Sequence, residues 1–179
     1  MNKLLFRPLN ANEIDVRVQS VSEKGCILLL YKDARCDMNI LDETVGPMNW
    51  KREHTRDNRN CIVSLWDEKK EQWVSKEDTG TESYSEKEKG QASDSFKRAC
   101  FNWGIGRELY TSPFIWVNAA DCNIREYKGK KTCNDKFFVE AIKYDENKNI
   151  IALSIKNGTN NKRVFLMKPT GGKSNGSAI

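Results

Sequence analysis

The hydrophobic pattern near the start of the chain has the period of a helix. The stretch Asn10–Glu13 matches a capping box, in which two residues three positions apart satisfy each other's backbone N–H groups. Ile14, Val18 and Val21 follow at helical spacing. The pattern therefore predicts a first helix over about residues 11–22.

The next segment predicts a strand and a second helix. Residues 26–31 form a short apolar run, Cys-Ile-Leu-Leu-Leu-Tyr, which is typical of a buried strand. Asp33 is a candidate N-cap for a helix that carries Ile40 and Leu41 on its apolar side. Gly46 supplies the residue type that commonly ends such a helix.

The middle of the chain predicts an antiparallel meander followed by a long helix. Apolar and polar residues alternate as in strands, and polar turn residues separate the runs. Two overlapping capping boxes, which begin at Ser83 and Ser85, predict the helix start. The predicted strands and helix cover residues 48–56, 61–66, 72–76 and about 86–103.

The last part of the chain predicts a β-hairpin and a tail. Residues 137–144 and 150–155 predict the two hairpin strands, and residues 163–167 predict a further strand. Residues 168–179 have the composition of a disordered tail. The predicted fold class is α+β, in one domain over 1–167: an antiparallel meander packed by a long helix, with preceding helices and a C-terminal hairpin.

Positive charge is concentrated toward the end of the chain. The 179 residues carry a formal net charge of +5. Residues 1–122 hold 18 Lys and Arg against 20 Asp and Glu, whereas residues 123–179 hold 12 against 5. This imbalance indicates an anionic partner, although a lysine-rich surface kept for solubility explains it equally well.

The sequence offers little for catalysis or metal binding. It has six cysteines without a CxxC spacing and a single histidine, His54, so we expect thiols without disulfides and no zinc site. A P-loop-like stretch, Gly171–Ser174, lacks the first glycine and lies in the predicted tail. No signal peptide or membrane span is evident, so the predicted location is the cytoplasm.

The long helix places two cations side by side. Its predicted core face carries Ala92, Phe96, Ala99, Cys100 and Trp103. Lys97 lies one step round from this face, on a stripe that also holds Lys89. Arg98 faces away from the core and follows Asp94 by four residues, the spacing that favours an ion pair.

Aromatic residues follow this helix after two glycines. Gly104 can end the helix, and Arg107 begins a segment that contains Tyr110, Phe114 and Trp116. Cations beside exposed rings suit single-stranded nucleic acid, because the cations neutralise phosphates and each ring stacks a base for roughly 1–3 kcal/mol. Aromatic residues near glycines are also common in cores, so the spacing leaves both interpretations open.

One segment of the long helix resembles a motif of a known family. It is Asp94–Ala99, with the sequence Asp-Ser-Phe-Lys-Arg-Ala, and it is followed by an aromatic residue and Gly104. The family is the Rad-fifty-two type of single-strand annealing proteins, and the resemblance is closer to its bacteriophage and prophage members. The similarity covers about residues 10–117. Segments in the same order upstream are Lys32–Arg35, Trp50 and Asp78–Gly80.

The resemblance implies an annealing protein and not an enzyme. Such proteins form rings or helical filaments, hold single-stranded DNA in a basic groove and let a complementary strand pair, without ATP or another cofactor. Lys97 and Arg98 match groove residues by motif, and Arg35 is a further match. The resemblance also implies phage recombination or repair in a bacterial host cell, alongside a phage exonuclease or a host single-strand-binding protein.

Further DNA-binding candidates come from the residues themselves and not from the motif. They are Lys51, Arg52 and Arg56 on the first meander strand, Lys89 on the long helix and Arg107 after it. One alternative function is a single-strand-binding protein that coats strands without pairing them. Another is a magnesium-dependent nuclease that uses the acidic pairs Asp42–Glu43 and Glu77–Asp78, although solvated faces and caps also explain these acids.

Overall fold

The structure is a computed structural model and describes residues 4–81 and 87–169. It has the predicted α+β class and forms two compact units. Unit 1 comprises Met1–Leu9 and Tyr31–Tyr110, and unit 2 comprises Asn10–Leu30 and Thr111–Ile179. The extent of an annealing domain, predicted as 1–167, stays a prediction.

The described residues form two α-helices and eleven strands, with short 3₁₀ turns between some of them. In chain order they are β1 (Asp15–Ser22), β2 (Gly25–Tyr31), α1 (Ala34–Val45), β3 (Trp50–Thr55), β4 (Asn60–Asp67), β5 (Gln72–Thr79), α2 (Lys87–Trp103), β6 (Ile115–Asn118), β7 (Ile124–Tyr127), β8 (Lys130–Cys133), β9 (Phe137–Tyr144), β10 (Ile150–Asn157) and β11 (Lys162–Met167).

Unit 1 contains the predicted meander and the predicted long helix. Strands β3, β4 and β5 form an antiparallel sheet in that order, and α2 packs against β4 and β5. Arg52, Val63 and Lys76 lie opposite one another in register, so they share the face of the sheet that α2 covers. Ser64 and its register partners lie on the other face, which we call the outer sheet face.

The second predicted helix is confirmed together with both of its ends. Asp33 caps α1, since its carboxylate accepts from the backbone N–H groups of Arg35 at 2.8 Å and Cys36 at 3.0 Å. Gly46 ends α1 with a φ of 84°, a conformation that favours glycine. The capping boxes predicted to begin at Ser83 and Ser85 lie outside the described residues.

Unit 2 is built on a six-stranded antiparallel sheet. Its strand order is β11-β10-β9-β1-β2-β6, and β7 and β8 form a separate two-stranded ribbon. The predicted C-terminal hairpin is β9 and β10, and β11 continues it as the predicted further strand. Of the predicted tail, residues 170–179 lie outside the described residues.

The first predicted helix, at about 11–22, is wrong. Only Ala11–Glu13 turns, as a 3₁₀ turn in which the Asn10 N–H donates to the Glu13 carboxylate at 2.7 Å. The chain then extends into β1, where Val16 pairs with Phe137 of β9. β-branched residues at 14, 16 and 18 also fit the two-residue period of a strand, and pairing with a distant strand selects that period.

Candidate nucleic-acid interface

The core face of α2 fixes the directions of its two adjacent cations. Phe96, Ala99 and Cys100 have no exposed surface, which confirms the centre of the predicted stripe. Since successive helix residues are about 100° apart, Lys97 lies at the margin of this stripe and is half-buried, while Arg98 is exposed. The two side chains therefore meet different surroundings.

Two residues of the predicted core stripe, Ala92 and Trp103, are only partly buried. Trp103 is the last residue of α2, where the helix reaches the margin of the sheet. Its indole N–H donates to the Val63 carbonyl at 3.0 Å, and the Lys76 ammonium lies 4.6 Å from its ring centroid. The predicted inward direction of Trp103 is therefore confirmed, but not its full burial.

Arg98 pairs with a carboxylate that the helical spacing does not predict. Its Nε lies 3.2 Å from Asp78 Oδ1 on β5, so the predicted pair with Asp94 is wrong. Asp94 instead accepts from the Thr81 backbone N–H at 2.9 Å. Arg98 thus joins α2 to the edge strand β5, and a phosphate would have to compete with Asp78 for it.

Replacing Arg98 with alanine should lower the free energy of unfolding by no more than about 1 kcal/mol. The pair is largely in water, with 47% of the Arg98 side chain exposed, and such pairs contribute little. Chemical denaturation of the wild type and Arg98→Ala measures the difference. Arg35→Ala is the control, because Arg35 is exposed and pairs with its near neighbour Asp33. A loss comparable to that of a broken buried pair would contradict this assignment.

No carboxylate among the described residues competes for Lys97. Among residues 4–81 and 87–169, its ammonium makes no ion pair or hydrogen bond within the criteria met by Arg98. Its charge does act on Asp37 of α1, whose ionised form it favours. An external anion can therefore bind Lys97 without first displacing an internal partner.

A buried ion pair lies beneath this surface. Lys32 and Asp37 pair directly, and both side chains are almost completely removed from water. Burial raises the pKa of Asp37 to about 6, although Lys32 and Lys97 both oppose the rise. Gly106 admits the Lys32 stem, because a Cβ there would lie 2.3 Å from Lys32 Cε. No local pattern in the sequence predicts that these charges are buried together.

The C-terminal end of α2 carries exposed aromatic surface. The rings of Phe101 and Tyr110 are tilted against each other with centroids 4.6 Å apart, and Tyr110 is 74% exposed. Arg107 lies with its guanidinium carbon 5.5 Å from the Phe101 centroid. Because Lys97 precedes Phe101 by one helical turn, the four residues form one cluster, which we call the aromatic–cation cluster.

Arg107 also has a structural role in this cluster. Its Nε and Nη2 donate to the carbonyls of Phe101 and Asn102, each at 2.8 Å. Lys76 donates to the same Asn102 carbonyl, also at 2.8 Å. These cations satisfy carbonyl groups that the last turn of a helix leaves unpaired. The Arg107 side chain therefore caps the C-terminal end of α2 and also places positive charge beside Phe101.

Lys51 belongs to a second aromatic group, on the outer sheet face. Its ammonium lies 4.5 Å from the Trp73 ring centroid, and Trp73 meets Trp66 edge to face at 5.5 Å. Both tryptophans are more than a third exposed. Lys51 therefore lies on the face of the sheet opposite to α2, which carries Lys97.

The remaining predicted DNA contacts are dispersed over unit 1. Arg35 is exposed on α1 and pairs with Asp33 at 2.7 Å. Arg52 covers the buried Phe96 ring, with its guanidinium carbon 4.9 Å from the centroid. Arg56 is exposed in the turn after β3, and Lys89 is exposed near the start of α2. The structure brings only Lys97 and Arg107 of the predicted residues into the aromatic–cation cluster.

The acidic pairs considered for magnesium are occupied by protein donors. Asp42 accepts from the Trp50 indole at 2.6 Å, and Glu43 pairs with Arg7 at 2.8 Å. Glu77 accepts from Asn60 at 2.6 Å, while Asp78 holds Arg98. These partners favour the structural interpretation of the acids over a two-carboxylate nuclease site.

Metal-ligating atoms do converge in unit 2. Within the described ranges, the Sγ atoms of Cys26, Cys122 and Cys133 all lie within 4.8 Å of one another. Burial raises the pKa of Cys26 and of Cys122, so both are neutral thiols at neutral pH. The cluster could not be predicted from the sequence, because no short spacing links the three cysteines along the chain.

Comparison of the chain with models of protein families, with curated proteins and with solved structures finds no match. The similarity to annealing proteins consequently depends on sequence motifs alone, chiefly that at Asp94–Ala99, and it serves as part of a proposal. Among the helices of the described residues, none combines the length and apolar character needed to cross a membrane.

Proposed function

We propose that this chain binds single-stranded DNA through unit 1 and anneals complementary strands without ATP or another cofactor. The observation that carries the proposal is the aromatic–cation cluster. Tyr110 presents 74% of its surface to solvent, backed by Phe101 at 4.6 Å. Arg107 and Lys97 add positive charge around the pair, and a ring with nearby cations matches the requirements of an unpaired, stacked base and its phosphate.

Each group in the cluster has a distinct part in this proposal. The Tyr110 ring stacks a base, and Phe101 holds that ring in place from behind. Lys97 neutralises a phosphate, because no internal carboxylate is in ion-pair distance among the described residues. Arg98 and Arg35 would add phosphate contacts only by leaving Asp78 and Asp33.

Annealing follows if the strand is held by its backbone and by one face of its bases. Contacts of this kind do not read base edges, so the Watson–Crick edges remain available to a second strand. Complementarity between the strands then supplies all sequence information. Neutralised phosphates also lower the repulsion between two polyanions, which favours pairing on the protein over pairing in solution.

The resemblance to annealing proteins extends the proposal to assembly and context. We propose a homo-oligomeric ring or filament that acts in phage recombination or repair within a bacterial host, where a phage exonuclease or a host single-strand-binding protein is a partner. Strands β3 and β5 are the edges of their sheet, and an edge strand can pair with a strand of another protomer. Arg52, Arg56, Lys51 and Lys89 are the further proposed DNA contacts.

The test is an annealing assay with two complementary labelled oligonucleotides, without nucleotide or added metal. We expect pairing faster than in protein-free solution, with both strands intact. Binding without faster pairing would identify a coating protein instead. Degradation of either strand on addition of magnesium would identify the nuclease alternative, against which the occupied acidic pairs argue.

We expect strong salt dependence of single-strand binding. Each neutralised phosphate should contribute about −0.7 to the slope of log affinity against log salt concentration. Lys97→Ala should make this slope less steep by about one such contribution, whereas Lys69→Ala, in the turn between β4 and β5, should leave it unchanged. A slope near zero for the wild type would remove the phosphate grip from the proposal.

A further inference from the structure

Three cysteines from separate segments of unit 2 meet at one point. Cys26 lies on β2 and is completely buried, Cys133 ends β8, and Cys122 follows the 3₁₀ turn Ala119–Asp121. Their Sγ atoms all lie within 4.8 Å of one another, and Cys26 and Cys122 are 3.9 Å apart.

The sheet topology explains how the three positions converge. Cys26 is opposite Val117 in the pairing of β2 with β6, which places the end of β6 beside it. The chain then turns at Ala119–Asp121 and delivers Cys122. Cys133 is opposite Ile124 in the ribbon of β7 and β8. This pairing brings Cys133 back next to the segment that carries Cys122. Backbone pairing therefore positions all three residues before any ligand binds.

The spacing between the sulfurs of Cys26 and Cys122 fits two ligands of one metal ion, and the Cys133 sulfur lies within 4.8 Å of both. A Zn–S bond is about 2.3 Å, so two thiolates on one zinc ion stand about 3.8–4.0 Å apart in tetrahedral or trigonal geometry. The separation of 3.9 Å between Cys26 and Cys122 lies within that range. Soft thiolate ligands select zinc and copper(I) over the hard ions magnesium and calcium.

We propose that Cys26, Cys122 and Cys133 bind a single thiophilic metal ion, Zn²⁺ or Cu⁺, through three thiolates. On binding, each thiol loses its proton to solvent and its sulfur forms one bond to the metal, with no change in oxidation state. Copper(I) is satisfied by three sulfurs, whereas zinc takes a water as its fourth ligand. Cys122 and Cys133 are only partly buried, so solvent reaches that side of the site.

The segment that carries Cys122 is held in place by neighbouring polar groups. Asp135 accepts from the Asn123 backbone N–H at 2.9 Å and from the Asn157 side chain at 2.7 Å. Asn157, which is 1% exposed, also donates to the Asp121 carbonyl at 3.3 Å. Such support around a ligand is typical of metal sites, because it fixes the direction of the ligating atom. The bound ion would link three parts of unit 2, which are β2, β8 and the segment between β6 and β7 that carries Cys122.

The experiment uses the full chain, purified under reducing conditions and titrated separately with Zn²⁺ and with Cu⁺. We expect one ion per chain for at least one of the two metals, together with a rise in melting temperature on binding. Cobalt(II) should replace zinc and give a strong near-ultraviolet sulfur-to-metal absorption band. Cys122→Ser and Cys133→Ser should each weaken binding by more than about 100-fold, since even groups behind the ligands change affinity by 10–100-fold.

Cys36→Ala is the matched control, because Cys36 is a buried cysteine of unit 1 and is not one of the three clustered residues. It should keep one ion per chain. Circular dichroism of both serine variants without metal should match the wild type, since each replaced thiol is partly exposed. The proposal is overturned if reduced wild type binds neither metal, if Cys36→Ala loses binding to the same extent, or if the purified chain contains a Cys26–Cys122 disulfide and takes up no metal after reduction.

Discussion

Replacing Lys32 with methionine is expected to lower the free energy of unfolding by about 3–5 kcal/mol. The substitution keeps most of the buried stem and removes only the charge. Asp37, which has no exposed surface, then loses the cation that most favours its ionised form, so it is buried either as an unpaired carboxylate or as a carboxylic acid that has taken up a proton. One of its oxygens, Oδ2, already has no hydrogen-bond partner in the described part of the chain, and the charge of Lys97, which acts on Asp37 less than that of Lys32, remains. Urea denaturation at neutral pH measures the loss.

Two controls separate the buried charge from simple packing. Lys70→Met removes the ammonium of an exposed pair with Asp67 and should change stability very little. The double variant Lys32→Met/Asp37→Leu should recover most of the loss, because both charges are gone and the site is apolar. If the double variant is as unstable as Lys32→Met, the cost comes from packing and not from an unpaired carboxylate.

The buried pair of Lys32 and Asp37 also makes the free energy of unfolding depend on pH, in a direction that can be derived. The pKa of Asp37 is about 6 in the folded chain, above its ordinary value, because burial disfavours the ionised form. An unfolded chain loses the proton of this carboxyl group at about pH 4. Between about pH 4 and about pH 6, Asp37 of the folded chain is therefore protonated while that of the unfolded chain is not. The contribution of Asp37 to stability consequently falls as pH rises through this window, and Asp37→Asn should abolish that part of the slope.

Local signals were sufficient to predict the elements that carry the candidate site. The cap at Asp33, the glycine at Gly46 and the periodicity of the core residues around Phe96 are all local in sequence, and the structure confirms α1, α2 and the meander. The stretch from Ile14 to Val21 was ambiguous because its apolar residues fit both periods. Its strand form depends on pairing with β9, more than a hundred residues away, which no local pattern contains.

The partners of the charged residues could not be predicted in the same way. Helical spacing offered Asp94 to Arg98, but Asp78 on a neighbouring strand lies closer in the folded chain. The buried pair of Lys32 and Asp37 and the thiols of unit 2 likewise depend on tertiary packing. Helical periodicity predicts that Lys97 lies one turn before Phe101, but the contacts of Phe101 with Tyr110 and Arg107 depend on the fold of the segment after α2.

Tyr110→Ala is expected to weaken single-strand binding by about 1–3 kcal/mol, the usual contribution of one stacked base, which corresponds to roughly 5- to 140-fold in affinity. The ring is 74% exposed, so its removal should leave the melting temperature nearly unchanged. Tyr110→Phe keeps the stacking surface and should bind almost as the wild type does. Fluorescence anisotropy with a labelled oligonucleotide measures all three proteins.

Tyr127→Ala is the matched control, because Tyr127 is 63% exposed and also has a lysine near its ring, Lys128 at 5.3 Å, but belongs to unit 2. It should leave affinity and annealing rate unchanged. The double variant Lys97→Ala/Tyr110→Ala should combine a loss of stacking with a less steep salt dependence, since one residue contacts a base and the other a phosphate. If Tyr127→Ala weakens binding and Tyr110→Ala does not, the DNA-binding surface lies on unit 2, and the aromatic–cation cluster is not the site.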